Sequence, residues 1–182
     1  KVASGAKLIA LTNPNNPTGA LIPEKILEKI ASLARDVGAW ILCDEVYRGT
    51  DQHGKGMTKS IVDIYEKGIS TGGMSKAFSL AGLRLGWIAA PNKLIEQVMI
   101  HRDFDTISVG MIDDHFASIA LENCDRLLER SRRITRGNLK YLSNWISGET
   151  KLSWKKPQSG TTALMKIGIN MGSYEFCTAL VK

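Results

Sequence analysis

Apolar positions along the chain alternate between two spacings. Leu8-Ile9-Ala10-Leu11 is a short unbroken apolar run between polar residues, the pattern of a buried strand. Ile26, Leu27, Ile30, Leu33, Ala34 and Val37 then recur every three or four residues, which predicts a helix with one apolar stripe. Pro23-Glu24 suits its first turn and Gly38 its C-terminal cap. Ala39 to Cys43 is a second unbroken run. Strand, helix, strand over this length predicts a βαβ unit and therefore a parallel sheet. Ile61 to Tyr65 reads as a short helix, and Leu85 to Ala90 as a strand stopped by Pro91. Asn92 then caps a helix running to about Ile100. From Asp113 to Trp145 the helical period returns through Leu121, Cys124, Leu128, Ser131, Ile134, Leu142 and Trp145, with Gly137 as the expected break. Leu152 to Trp154 and Thr162 to Ile167 read as strands of a second layer around a Pro157-x-x-Gly160 turn, and Gly172-Ser173 opens a last helix.

Two connecting segments stand out. Thr12 to Gly19 carries two prolines and three asparagines, a composition that disfavours helix and strand and predicts a rigid loop. A stiff loop at a strand's carboxyl end is where open α/β sheets place ligand contacts; an ordinary turn is the plainer reading. Gly49 to Ser60 is polar and glycine-rich, and reads as a loop with freedom to move.

Composition narrows the class. With 182 residues, 43% of them hydrophobic, the chain can bury a sizeable core. Its net charge of +6 is modest. The densest basic cluster, Arg126, Arg130, Arg132, Arg133, Arg136 and Lys140, interleaves with apolar residues at helical spacing. A solvated helix face explains it better than a nucleic-acid patch, because no recognition motif accompanies it. Three widely spaced cysteines, Cys43, Cys124 and Cys177, support neither a disulfide framework nor a metal site. His53, His101 and His115 show no ligand spacing. Reduced thiols point to the cytoplasm. No apolar run approaches the roughly 18 residues of a membrane helix, and no signal peptide is visible. The chain begins at Lys1 and stops at Lys182 inside a helical pattern, as a piece of a longer protein would.

The chemistry concentrates in Ser70 to Trp87. Lys76 sits among small and apolar residues, with Arg84 eight positions later. Burial favours the neutral amine of a lysine, and a neutral amine forms Schiff bases with aldehydes. A surface lysine after a glycine turn is the plainer alternative. Upstream, Asp44 closes the second strand; it either caps the next turn or meets a ligand.

Gly73-Met74-Ser75-Lys76, Ser79-Leu80, Gly82 and Arg84-Leu85-Gly86 together resemble the pyridoxal-phosphate attachment site of class I/II aminotransferases, within the fold-type I pyridoxal-phosphate enzymes. Asn13-Pro14-x-Asn16-Pro17-Thr18-Gly19 resembles that family's Asn-Pro-Thr-Gly motif, and Asp44 with Tyr47 matches a further one at its spacing. The three occur in family order, and the resemblance covers nearly the whole chain. The resemblance implies a mostly parallel sheet with helices on both faces, the large domain of an aminotransferase, followed by part of a smaller α/β C-terminal domain. It divides the chain into part of the cofactor-binding domain (1–122), an interdomain helix (123–147) and the start of the small domain (148–182). It implies pyridoxal 5'-phosphate as cofactor and transfer of an amino group between an amino acid and a 2-oxo acid. Lys76 would hold the cofactor as a Schiff base, and its freed amine would act as general base and then acid. Asp44 would pair with the protonated ring nitrogen. Asn16 and Tyr47 would bind the phenolic oxygen, and Arg84 the phosphate, with Ser75 adding a hydroxyl. Some relatives carry serine three positions before the lysine; here that residue is Gly73, so Ser70 or Thr71 would take its place.

The same scaffold also serves carbon–sulfur lyases, amino-acid oxidases and the sensor domains of transcription regulators, and these alternatives stay open. The resemblance further implies a homodimer, with Arg102 and Ser108 as candidates to reach the partner's site. It places a phosphate-cradling helix start, a ring-stacking aromatic and a carboxylate-binding arginine outside this chain. Asp51, Asp103 and Asp105 are either contacts for a cationic substrate or solvated loop charges. His101-Arg102-Asp103 spells the start of a kinase catalytic loop, but Ser108 stands where that loop needs asparagine, so the match is coincidence.

Overall fold

The computed structural model describes residues 5–54 and 56–181. Its main sheet has four strands in the order β1 (Leu8–Thr12), β2 (Trp40–Asp44), β3 (Gly68–Gly73) and β4 (Gly86–Ala89). The first three are parallel, with Thr12 opposite Asp44 and Asp44 opposite Thr71; β4 returns antiparallel along β3. The carboxyl ends of β1, β2 and β3 therefore lie along one edge. Helix α1 (Glu24–Val37) is the crossover between β1 and β2. Gly38 ends it in the left-handed region at φ 67°, its N–H donating to the Ala34 and Arg35 carbonyls, as a glycine cap does.

The core between α1 and the sheet contains Ala31, Ala34, Ala39, Ile41, Cys43, Ile61 and Tyr65. Burying an aliphatic side chain such as Ile41 is worth about 1.5–3 kcal/mol. The Tyr65 hydroxyl donates to the Ala39 carbonyl at 2.7 Å, which satisfies its one polar atom. Burial, with Glu45 nearby, pushes the Cys43 thiol up to about 12, so it stays protonated at neutral pH. Ile26 and Leu33 of the expected α1 stripe are exposed; Leu27, Ala31 and Ala34 make the buried face.

Downstream come α2 (Asn92–Arg102), α3 (Met111–Glu122) and α4 (Cys124–Ser147). Then β5 (Leu152–Trp154) and β6 (Met165–Ile167) pair antiparallel, and α5 (Ser173–Val181) follows. The single helical stretch expected from Asp113 to Trp145 is two helices. The break is at Asn123 (φ −106°, ψ 25°), whose side-chain amide donates to the Ile119 carbonyl at 2.9 Å. Gly137 does not break anything. It lies inside α4, where a glycine costs about 0.5–1 kcal/mol relative to alanine, and the packing of Leu128, Ser131 and Ile146 holds the helix across it.

The loop from Gly49 to Ser60 is not loose. Thr50, Asp51 and Gln52 are buried. Arg132 donates from Nη1 to the Gly49 carbonyl at 3.2 Å. Arg136 donates to the Asp51 carbonyl from Nε (3.2 Å) and Nη2 (2.9 Å), and to the Gly54 carbonyl at 3.1 Å. Two arginines of the basic cluster thus clamp a loop rather than line a solvated face. The loop's far end is held by Glu45, whose buried carboxylate accepts the Ile61 N–H at 2.8 Å.

Candidate active site

Parallel pairing brings the three motif-bearing segments to one edge, and backbone hydrogen bonds then fasten them together. Asn13 N–H donates to the Asp44 carbonyl at 2.9 Å, which extends the β1–β2 ladder into the proline loop. Glu45 N–H donates to Thr71 O at 2.8 Å. Ala77 N–H donates to Val46 O at 3.4 Å, and that bond sets the Lys76 turn beside the Asp44–Tyr47 segment. The proline loop is internally braced: the Asn13 side chain accepts Ile22 N–H at 2.8 Å, and Thr18 donates to Asn15 at 2.6 Å.

Each predicted residue has a definite setting. Asn16 and Lys76 are exposed, Asp44 and Ser75 half-buried, and Tyr47 buried. Asp44 does cap the next turn, since its Oδ1 accepts Val46 N–H at 3.1 Å. A carboxylate has a second oxygen to offer, so this use leaves the ligand reading open. Arg84 is exposed and folds back to donate from Nη1 to the Ala81 carbonyl at 3.0 Å. Among the described residues, none of the six side chains is hydrogen-bonded to another of the six.

The expectation of a buried lysine is not met. Met74, Ala77 and Phe78 enter the core while Lys76, on the same turn, stays exposed. The Ala77–Val46 bond turns residue 77 inward, and its neighbour is left pointing away from the core. Among the described residues three non-glycine residues have φ in the left-handed region, and two of them, Ser79 (60°) and Arg84 (47°), follow this turn. Such conformations cost roughly 1–3 kcal/mol each and gather at ligand sites. Behind the lysine, the Trp87 indole lies over Gly72, where an added Cβ would fall 2.5 Å from the ring. An added Cβ at Gly73 would sit 3.2 Å from the Leu85 carbonyl, a physical reason for glycine rather than serine there.

Sequence reasoning found the Pro157–Gly160 turn but not what it docks on. The Pro157–Gly160 turn docks on the proline loop through Gln158 N–H (2.8 Å) and Ser159 N–H (3.0 Å), both donating to Gly19 O. Gly160 lies against the Tyr47 ring; an added Cβ would be 3.8 Å from Tyr47 Cδ1. Asp51 is not a solvated loop charge. It is 7% exposed and accepts the Ser159 hydroxyl at 2.8 Å. Burial raises its carboxyl above the usual range, offset in part by the Ser159 hydrogen bond and by Arg136, Arg132 and Arg48. The Pro-x-x-Gly pattern signalled only the turn; nothing local marked its partners.

An amine, a carboxylate, an amide, a phenol, a guanidinium and a hydroxyl thus share one sheet edge, on segments that hydrogen bonds hold in register. That donor set fits an aldehyde-bearing, phosphorylated, protonatable ring. Among the described residues no His/Cys/Asp/Glu group could hold a metal ion, and no helix is long and apolar enough to cross a membrane.

Comparisons with known proteins agree. The chain is 38% identical to a PLP-dependent aminotransferase of known structure from Streptococcus suis, with a TM-score of 0.91 over 96% of this chain and 46% of that one. It is 37% identical to aromatic-amino-acid aminotransferase 2 of Thermococcus litoralis over 54% of this chain and 26% of that protein. It is 24% identical to capreomycidine synthase of Streptomyces vinaceus over 96% of this chain and 45% of that protein. The structure of the PLP-dependent cyclase OrfR superposes with a TM-score of 0.89, at 26% identity, over 99% of this chain and 49% of that one. The chain spans about half the length of these relatives, or less. The family model for aminotransferase class I and II matches residues 1–169, and the chain belongs to that family of pyridoxal-phosphate-dependent proteins.

Proposed function

We propose that the full-length protein transfers an amino group between an amino acid and a 2-oxo acid, with Lys76 as the residue that binds the cofactor. The observation that carries this reading is the convergence of β1, β2 and β3, fastened by the Asn13–Asp44 and Ala77–Val46 hydrogen bonds. Bound there, pyridoxal phosphate supplies an electron sink for negative charge at the substrate Cα. The chain's residues do the rest. The Lys76 amine would hold the cofactor aldehyde and, when free, would take up the proton leaving the substrate Cα. The Asp44 carboxylate would favour a protonated ring nitrogen by its charge. Asn16 and Tyr47 would donate to the phenolic oxygen. Arg84 offers its planar fork to the phosphate, and Ser75 a hydroxyl.

The same reading includes a homodimer, with Arg102 and Ser108 toward the partner, and a cytoplasmic protein, supported by the free thiols of Cys43, Cys124 and Cys177. It also includes the division 1–122, 123–147 and 148–182, which the helix break at Asn123 and the separate β5–β6 sheet support.

A second reading, a pyridoxal-phosphate-dependent cyclisation, is favoured by the near-complete coverage of this chain by capreomycidine synthase and OrfR. One experiment separates the two. The full-length protein is incubated with a panel of amino acids and a 2-oxo acid acceptor. Transfer yields one new 2-oxo acid for each acceptor aminated. A cyclase consumes an amino acid with no acceptor aminated.

A further inference from the structure

We propose that Thr50 and Ser159 are positioning residues for Tyr47, holding its ring through the Gly160 turn. The inference rests on the reading of Tyr47 as a donor to the cofactor's phenolic oxygen. Thr50 and Ser159 are both fully buried, at 0% exposure, and Tyr47 is 3% exposed. The Thr50 hydroxyl donates to the Tyr47 carbonyl at 2.6 Å, and Thr50 N–H reaches the same carbonyl at 3.2 Å. The same hydroxyl oxygen accepts the Gly160 N–H at 3.0 Å and lies 3.2 Å from Ser159 Oγ. The Gly160 carbonyl accepts Gln52 Nε2 at 3.4 Å. One oxygen therefore fixes the Tyr47 main chain on one side and, through Gly160, the floor under its ring on the other. Gly160 holds a φ of 82°, a backbone state that a side chain disfavours, so the floor stays flat.

Proton bookkeeping makes Ser159 part of the same device. Thr50 has one hydroxyl proton, spent on the Tyr47 carbonyl. When Asp51 is ionised, the Ser159 proton goes to Asp51 Oδ1 at 2.8 Å, and the contact between the two hydroxyl oxygens holds no proton. When Asp51 is protonated, it can donate to Ser159, Ser159 to Thr50, and Thr50 to Tyr47. All three contacts are then filled in one direction. In either state Ser159 is bonded to Asp51 and packs against the Thr50 oxygen at 3.2 Å, and in the protonated state it donates to that oxygen as well. The groups facing Asp51 are Ser159 from the turn, Arg132 and Arg136 from α4, and Arg48. A donor misplaced by a fraction of an ångström loses much of its effect on a reacting group, which is what this arrangement prevents.

The test uses the full-length protein loaded with pyridoxal phosphate and reads the pH midpoint of its visible absorption band. A phenol donating to the neighbouring oxygen lowers the pH at which the Lys76 nitrogen loses its proton. Tyr47→Phe sets the scale and should raise the midpoint. Thr50→Val removes one hydroxyl at nearly constant volume and should raise the midpoint in the same direction by about half a pH unit. Thr50→Ser should restore it. Ser159→Ala, a milder change, should shift it the same way by less and keeps the test alive if Thr50→Val does not fold. A Tyr47→Phe shift with Thr50→Val and Ser159→Ala at the wild-type midpoint overturns the positioning role and leaves the cofactor reading intact. Absence of a visible band overturns the cofactor reading and this inference with it; a band that does not shift in Tyr47→Phe overturns the role of Tyr47 and this inference, and leaves the cofactor reading standing.

Discussion

Gly19 and Pro157 lie so close that a Cβ built on Gly19 would fall 2.5 Å from the Pro157 Cβ and 2.7 Å from the Ser159 carbonyl oxygen. Gly19 also holds a φ of 65°. The last residue of the Asn-Pro-Thr-Gly motif is therefore glycine for two reasons, the turn that docks on it and its own left-handed backbone. Gly19→Ala should destabilise the full-length protein by about 2–4 kcal/mol, from overpacking plus backbone strain. Urea unfolding measures this; a loss under about 0.5 kcal/mol, the usual size for a surface change, would show that the turn does not dock as described.

Arg136 bridges two carbonyls of the 49–56 loop with three hydrogen bonds. Hydrogen bonds from a charged donor are worth about 1.5–3 kcal/mol. Arg136→Ala should cost about 2 kcal/mol and raise hydrogen exchange across the loop's amides. Arg136→Lys should recover only part of this, because one ammonium nitrogen cannot reproduce the spaced, planar Nε and Nη2 donors. Unchanged exchange in Arg136→Ala would contradict the clamp.

Asp51 titrates above its ordinary range when folded. The folded state then binds its proton more tightly than the unfolded chain, so the stability it contributes is complete below the unfolded pKa, roughly 3.9. That contribution is lost as pH rises through the folded value. Asp51→Asn has no proton to lose and can still donate to Ser159. Its stability relative to the wild type should therefore improve between pH 4 and pH 7 in paired urea titrations. A relative stability that stays flat or falls over that span would place a charge-stabilising partner at Asp51 that outweighs burial.

What was legible in the sequence follows from the range of the forces involved. The runs Leu8–Leu11 and Ala39–Cys43 announced two parallel strands; burial holds for Ile41 and Cys43 of β2, whereas β1, at the edge of the sheet, has no buried residue and leaves Leu8 53% exposed. The turn containing Lys76 was legible from its motif, and so was the order of the three segments. Lys76's exposure was not, because a lysine between buried neighbours reads the same whichever way its side chain leaves the turn. Asn123 was not recognised as a helix break, since an asparagine on a helical period looks like any exposed position. Gly137 looked like a break because its cost is local while the packing that overrides it is not. Asp51 resembled a solvated loop acid because its partner, Ser159, lies 108 residues away. Thr50 and Gly160 were passed over for the same reason.

The attachment of the cofactor is tested most directly at one lysine. The full-length protein is reduced with borohydride in the presence of pyridoxal phosphate, digested, and its peptides are mapped by mass spectrometry. The pyridoxyl group should be found on Lys76, and Lys76→Ala should carry none there and lose the visible band. A label on another lysine, or a Lys76→Ala protein that keeps the band, would contradict Lys76 as the attachment point and with it the proposed chemistry of this site.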